Sequence, residues 1–394
     1  MEYSNRRQFI WQALVGCTSL LSFGWFSKRG YGFMMPGLSE SASGGFGREA
    51  GISESAPARE AMYYTRLGRN RIRCDLCYHT CSITEGRRGF CRNRENRRGT
   101  LYTVVYGKPS AINIDPIEKE PQHHMLPGTN MICIGTAGCN FRCRHCHNWH
   151  LSQRSIEEIG RYQYHPPQDI VDTAVQLELP TISATYNEPT VFYEYLLDIA
   201  KLAKGANLKI LWHSNGYMKP APLKELLQYT DAVTVDLKGF SQKAYDNSSA
   251  EPEPVLKTLK TIHQSDVWLE IVYLIIPTIN DSAEEIREMC KWIRDELSQE
   301  VPLHLSRFFP NYRLRNISPT PVETLERARD IALEVGLHYV TLGNVPGHRY
   351  NSTFCPECNE ILIRRVHFNV MQNNIREGKC DSCGHKIPGI WSQT

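Results

Sequence analysis

The stretch GCNFRCRHCHNWH, residues 138–150, places Cys139, Cys143 and Cys146 within eight residues. Structural zinc takes four ligands, and iron–sulfur cubanes commonly take four cysteines. Three thiols leave one coordination position to be filled from elsewhere. On residue type two completions are open. Either His145, His147 or His150 completes a zinc site, or three thiolates hold a four-iron cubane with one iron free of protein ligands. The setting favours the second. The apolar run MICIG, 131–135, reads as a strand, so the triplet falls in the first strand-to-helix loop. Active sites of (β/α) barrels gather on that face, and an open position marks a catalytic metal.

Working outward, strands alternate with helices from about Asn130. TISAT, LKILWH, AVTVDLK, VWLEIVYLIIP and HYVTLGN read as further strands. DIVDTAVQLEL sets Ile170, Ala174 and Leu177 on one helical face, and DSAEEIREMCKWIRDEL does the same for Ile286, Cys290, Ile293 and Leu297. TPVETLERARDIALEVG opens with a capping box, Thr320 and Glu323, with Pro321 at the first helical position, and closes on Gly336. At least six such units imply a parallel sheet with right-handed crossovers: an α/β fold, a full or partial (β/α) TIM-type barrel, flanked by small Cys-rich modules.

The chain of 394 residues suits two or three domains. Its 45 basic and 42 acidic residues balance to a net charge of +3, which gives no field that points to nucleic acid or an anionic membrane. The 14 cysteines are grouped. Cys355-x2-Cys358 and Cys380-x2-Cys383, 21 residues apart, read as a four-thiolate zinc ribbon. Cys74, Cys77, Cys81 and Cys91 are a second four-ligand set that fits zinc or a second cluster, with His79 unneeded. Cys133 and Cys290 read as core residues. Near the N-terminus, Arg6 and Arg7 precede an apolar run to Phe26, like a twin-arginine export signal or an anchor, with Cys17 a candidate lipid acceptor. Cytoplasmic residence is the alternative. The expected organisation is a signal or anchor at 1–33, a Gly/Ser/Ala-rich linker at 34–60, a Cys-rich module at 61–128, the barrel at 129–345 and the zinc-ribbon-like module at 346–394.

Cys-x3-Cys-x2-Cys resembles the signature of the radical S-adenosylmethionine superfamily. The segments RCDLCYHTCSITEGRRGFCRNREN, IDPIEKEP, LPGTNMICIGTAGCNFRCRHCHNW and TYNEPTVFYEY, with the paired C-terminal knuckles, resemble the radical enzyme of the AmmeMemoRadiSam system, a relative of pyruvate formate-lyase activating enzymes. The resemblance spans about Arg73 to Trp391. It implies a 4Fe–4S cluster on Cys139, Cys143 and Cys146 whose open iron is chelated by S-adenosylmethionine. Reductive cleavage then gives a 5′-deoxyadenosyl radical that abstracts hydrogen. His145 stands where the family usually has an aromatic residue beside the adenine. Asn187 and Glu188 of TYNEP are candidates for the cofactor's amino group, and Asp236 and Lys238 of VDLKG for its ribose and carboxylate. Ser214 and Asn215 of HSNGY are candidates to line the site, as are Asn280 and Asn344 less directly. Lys119, His123 and His124 are read either as reaching the cavity or as a solvated loop. Implied partners are a low-potential electron donor, Memo-like and AMMECR-like proteins, and a small-molecule or protein substrate, with no nucleic acid. The alternative from another class is a multi-zinc module that binds protein or nucleic acid; basic residues do not cluster in one segment, which counts against it.

Overall fold

The structure, a computed structural model, describes residues 59–160 and 162–392. The export-like segment with Cys17 and nearly all of the linker lie outside the described residues. Arg59–Glu60, the end of the span read as linker, already pair antiparallel with Thr100–Thr103.

The core is one eight-stranded sheet whose strands follow chain order without permutation. They are β1 (Ala111–Pro116), β2 (Asn130–Gly135), β3 (Thr181–Ala184), β4 (Lys209–Ser214), β5 (Ala232–Asp236), β6 (Trp268–Ile275), β7 (Leu303–Arg307) and β8 (Val340–Gly343). β1 pairs antiparallel with β2, and every later neighbour is parallel. β1 and β8 do not pair, so the barrel is partial. Helices α1 (Pro167–Gln176), α2 (Tyr193–Gly205), α3 (Pro220–Leu227), α4 (Pro252–His263), α5 (Ala283–Glu296) and α6 (Val322–Val335) follow β3's predecessor and successors in turn, giving the crossovers that parallel strands require. No helix among the described residues is long and apolar enough to cross a membrane.

Periodicity placed the helix faces well in α5, where Ile286, Cys290 and Ile293 are buried; Leu297 only caps it and is half-buried. In α1, Ile170 and Ala174 are buried, but Leu177 is exposed because the helix ends at Gln176. The expected capping box of α6 is absent. Pro321 is the N-cap and no side chain caps it. Thr320 is fully buried instead, donating to the Ile275 carbonyl at 2.6 Å and accepting from Phe308 N at 3.2 Å. A hydroxyl that ties two strand ends together is not free to cap. Gly336 does terminate α6, at φ 103°.

Two strands escape the alternation reading. β7 is interrupted by His304, Ser306 and Arg307, and β1 lies inside the span assigned to the first Cys-rich module. The C-terminal residues form a three-stranded sheet, Thr353–Phe354, Ile361–Val366 and Asn369–Asn373, and a hairpin, Ile375–Arg376 with Lys379–Cys380. This module is tied to the segment before β2. Arg365 donates to the His123 carbonyl at 2.8 Å, Leu126 N donates to the Ile390 carbonyl at 2.8 Å, and Ile390 N donates to the His124 carbonyl at 2.7 Å.

Candidate functional site

The loop after β2 carries the cysteine triplet, and its start is tightly packed. A Cβ on Gly135 would meet the Thr185 carbonyl at 2.8 Å, so glycine lets β2 end directly against the 185–187 segment. Asn187 fixes that approach. Its Oδ1 accepts from Thr136 N at 3.0 Å, and its Nδ2 donates to the Gly138 carbonyl at 2.8 Å.

A cavity of about 320 Å³ opens at the C-terminal ends of β2 to β7. Cys139, Cys143 and Cys146 line it, and so do seven of the polar residues singled out from the sequence: His145, Asn187, Glu188, Ser214, Asn215, Asp236 and Lys238. They come from the ends of four different strands and the loops that follow them, which only the sheet brings together. Lys119 and Asn344 also reach this cavity. His123 lines a neighbouring cavity of about 100 Å³, while His124 is buried between Trp268, Tyr339 and Trp391. Asn280 does not reach either cavity; it is buried and holds Ile276 N at 2.7 Å and the Leu274 carbonyl at 2.9 Å.

The polar residues are held by one another. Glu188 is buried, with Oε1 accepting from Ser214 Oγ at 2.8 Å and Thr190 N at 3.0 Å, and Oε2 from Asn215 N at 2.8 Å. Asn215 Nδ2 then donates to Asn140 Oδ1 at 2.7 Å, beside Cys139. Lys238 Nζ lies 2.6 Å from Asp236 Oδ2. Burial opposes the Asp236 charge, but Lys238 and then His213 outweigh it and hold the carboxyl well below the usual range. His213 Nε2 approaches the same carboxylate at 3.2 Å without hydrogen-bond alignment.

The fit to a metal cofactor rests on the donor set. Cys139 and Cys143 are buried and Cys146 is half-buried, and burial raises each of the three thiols. A coordinated cation reverses that preference by holding the thiolate. No histidine completes a compact site with them. Among the described residues, the C-terminal quartet is the group of three or more Cys, His, Asp or Glu whose ligand atoms all lie within 4.8 Å of one another. The triplet is not part of that group; in a cubane each thiolate would bind a different iron. His145 lies in the cavity wall with both ring nitrogens buried and unpartnered. Burial and then the Lys238 charge lower its pKa to about 3, so it presents a neutral, flat ring.

Sequence reasoning missed Glu120 and His213, which also line the cavity. Glu120 accepts from Ser183 Oγ at 2.7 Å, and burial raises its pKa to about 7. The hint for Glu120 was IDPIEKEP, a charged run next to a strand, and His213 opens the segment HSNGY. In the C-terminal module, Cys355 and Cys383 sulfurs are 3.6 Å apart and Cys358 and Cys380 sulfurs 3.7 Å. Four thiolates about 2.3 Å from one ion at tetrahedral corners stand about 3.8 Å apart, so this quartet has single-ion spacing.

Residues 133–293 match the family described as the Radical SAM superfamily. An uncharacterized protein of Methanocaldococcus jannaschii is 44% identical over 331 residues, covering 84% of this chain and 98% of that protein. The pyruvate formate-lyase-activating enzyme of Clostridium pasteurianum is 27% identical over 199 residues, 46% of this chain and 80% of that enzyme. Among solved structures, a domain of a pyruvate-formate lyase-activating enzyme from Bacteroides vulgatus is similar with a TM-score of 0.37 at 17% identity, covering 41% of this chain and 98% of that one.

Proposed function

Since the chain belongs to the radical S-adenosylmethionine superfamily and is an enzyme of the activating-enzyme type, we propose that it abstracts a hydrogen atom from a protein or small-molecule substrate. The family implies a 4Fe–4S cluster and S-adenosylmethionine; bound together on the triplet, they supply reductive cleavage to a 5′-deoxyadenosyl radical. The observation that carries the reading is the shared cavity of three thiols and the polar groups after β2 to β5.

The chain's own residues bind and orient. Lys238 offers an ammonium to the carboxylate of S-adenosylmethionine, and Asp236 an acceptor to its ribose hydroxyls. Glu188 Oε2 keeps acceptor capacity beyond Asn215 N for the amino group, and it also fixes Ser214 and Asn215. Asn187 positions the start of the cysteine loop. His145 offers its ring face to the adenine. Reconstituted under anaerobic conditions and given dithionite and S-adenosylmethionine, the protein is expected to release 5′-deoxyadenosine and methionine. Intact S-adenosylmethionine after reduction of the cluster would sink the proposal. Lys238→Met removes a charged hydrogen bond and is expected to weaken binding of S-adenosylmethionine about 10- to 100-fold, read by equilibrium dialysis against the reconstituted protein.

The C-terminal quartet is proposed to hold zinc on the strength of its sulfur spacing. A strong chelator is expected to release about one zinc per chain and to expose Trp391, which packs in this module's small core, to solvent quenching. Retained tryptophan protection after complete zinc loss would argue against a structural metal. A multi-zinc binding module needs three single-ion sites, and among the described residues the C-terminal quartet is the compact group. A low-potential electron donor completes the reaction. Memo-like and AMMECR-like partners rest on the motif resemblance, and export or anchoring on Arg6, Arg7 and the apolar run after them.

A further inference from the structure

We propose that Cys74, Cys77, Cys81 and Cys91 hold a second iron–sulfur cluster rather than a zinc ion. The first two flank the end of the strand Arg71–Cys74, and Cys81 precedes its antiparallel partner Ser82–Ile83. A backbone hydrogen bond of 2.9 Å from Cys74 N to the Cys81 carbonyl joins the two arms. Cys91 comes from the next loop. All four cysteines line one small cavity of about 20 Å³, together with Phe90, Arg94 and Asn140.

Two observations separate a cluster from an ion. The first is space. Zinc sits about 2.3 Å from each sulfur, closer than their van der Waals surfaces would leave for a water-sized sphere. The cavity that the four cysteines share with their neighbours has room for about one such sphere, more than an ion at that distance leaves. The C-terminal quartet, by contrast, is the group among the described residues whose ligand atoms all lie within 4.8 Å of one another.

The second observation is a pair of idle donors. Arg94 and Asn140 are each 1% exposed, both line the cavity, and Arg94 Nε and Asn140 Nδ2 have no hydrogen-bond partner. Buried donors left unmade cost about 1–3 kcal/mol each, so native proteins rarely tolerate them. An iron–sulfur cluster supplies acceptors for both, since hydrogen bonds to its sulfurs are a normal part of its protein shell. The Phe90 N–H already points to Cys81 Sγ at 3.4 Å.

The cavity backs onto the triplet. Asn140 lines it, while its neighbour Cys139 lines the larger cavity. The Arg142 guanidinium lies 4.0 Å over the Phe90 ring and donates to the Cys139 carbonyl at 2.8 Å. Two consecutive residues, Cys139 and Asn140, thus face the two cavities.

The assignment stands apart from the reading of the triplet, and one set of measurements separates them. Full-length protein is reconstituted anaerobically with iron and sulfide, and iron, acid-labile sulfide and zinc are counted. The wild type is expected to hold about eight irons and eight sulfides per chain. Cys139→Ala/Cys143→Ala/Cys146→Ala is expected to keep about four of each and to give a reduced-cluster EPR signal with dithionite. Adding Cys77→Ser to that background is expected to remove them. About four irons and sulfides in the wild type, none in the triple variant and a second zinc would overturn the second cluster while leaving the radical site intact. About four in both proteins would support the second cluster and sink the radical site. A wild-type count of about eight supports the second cluster even if the triple variant fails to fold; at about four, Cys77→Ser alone decides, since an unchanged count in that variant overturns the proposal.

Discussion

Cys143→Ala is expected to abolish release of 5′-deoxyadenosine. Cys143 is buried in the wall of the large cavity, and its thiol is one of three available to the cluster there. Loss of an outer partner of a metal ligand costs about 10- to 100-fold in affinity or activity, so loss of a ligand from a set of only three should cost more than about 100-fold. The cluster of that site should fall with it. A Cys143→Ala protein that keeps its full iron and sulfide and releases 5′-deoxyadenosine at the wild-type rate would remove the triplet from the reaction. The fold should survive, because an alanine fits where a thiol did.

Glu270→Ala is expected to give the largest loss of stability. Glu270 is fully buried on β6 and accepts from His123 N at 2.9 Å, His124 N at 2.8 Å, Trp268 Nε1 at 2.9 Å and His304 Nε2 at 2.6 Å. These bonds pin the segment before β2 to the inside of the barrel and tie β6 to β7. Removing the carboxylate leaves four buried donors unmade, and breaking a buried pair from one side costs about 3–5 kcal/mol. Urea unfolding followed by tryptophan fluorescence should show the midpoint fall accordingly. The same residue carries a pH dependence. Burial opposes its charge, but the His304 hydrogen bond and charge outweigh that and lower its pKa to about 2. A depressed carboxylate stabilises the fold above its unfolded pKa of about 4.3, and the contribution fades as pH falls toward 2. Glu270→Gln should therefore lose part of the wild type's sensitivity between about pH 4.5 and 2. An unchanged acid transition would show that Glu270 does not carry it.

Much of the architecture was legible locally. Strand–helix alternation placed six of the seven parallel strands, and the cysteine spacing located the cavity before any fold was known. The missed elements share a cause. β7 carries His304 and Ser306 because their partners, Glu270 and the cavity, lie on other strands. Glu270 itself sits in an apolar run, where nothing nearby explains a charge; its partners His123 and His124 are 147 and 146 residues away. Thr320 misled for the same reason, because its hydroxyl is claimed by Ile275, 45 residues back.

The sequence by itself set how many thiols each group offers and how the strands succeed one another, because ligand spacing and hydrophobic period are local properties. Tertiary structure alone decided which polar side chains turn into the cavity and which are consumed as struts, since Glu188, Asn280 and Glu270 look alike until their partners are known. It also decided the distance between sulfurs. That distance, compact in the C-terminal quartet, depends on how separate turns pack together rather than on the residues within any one of them.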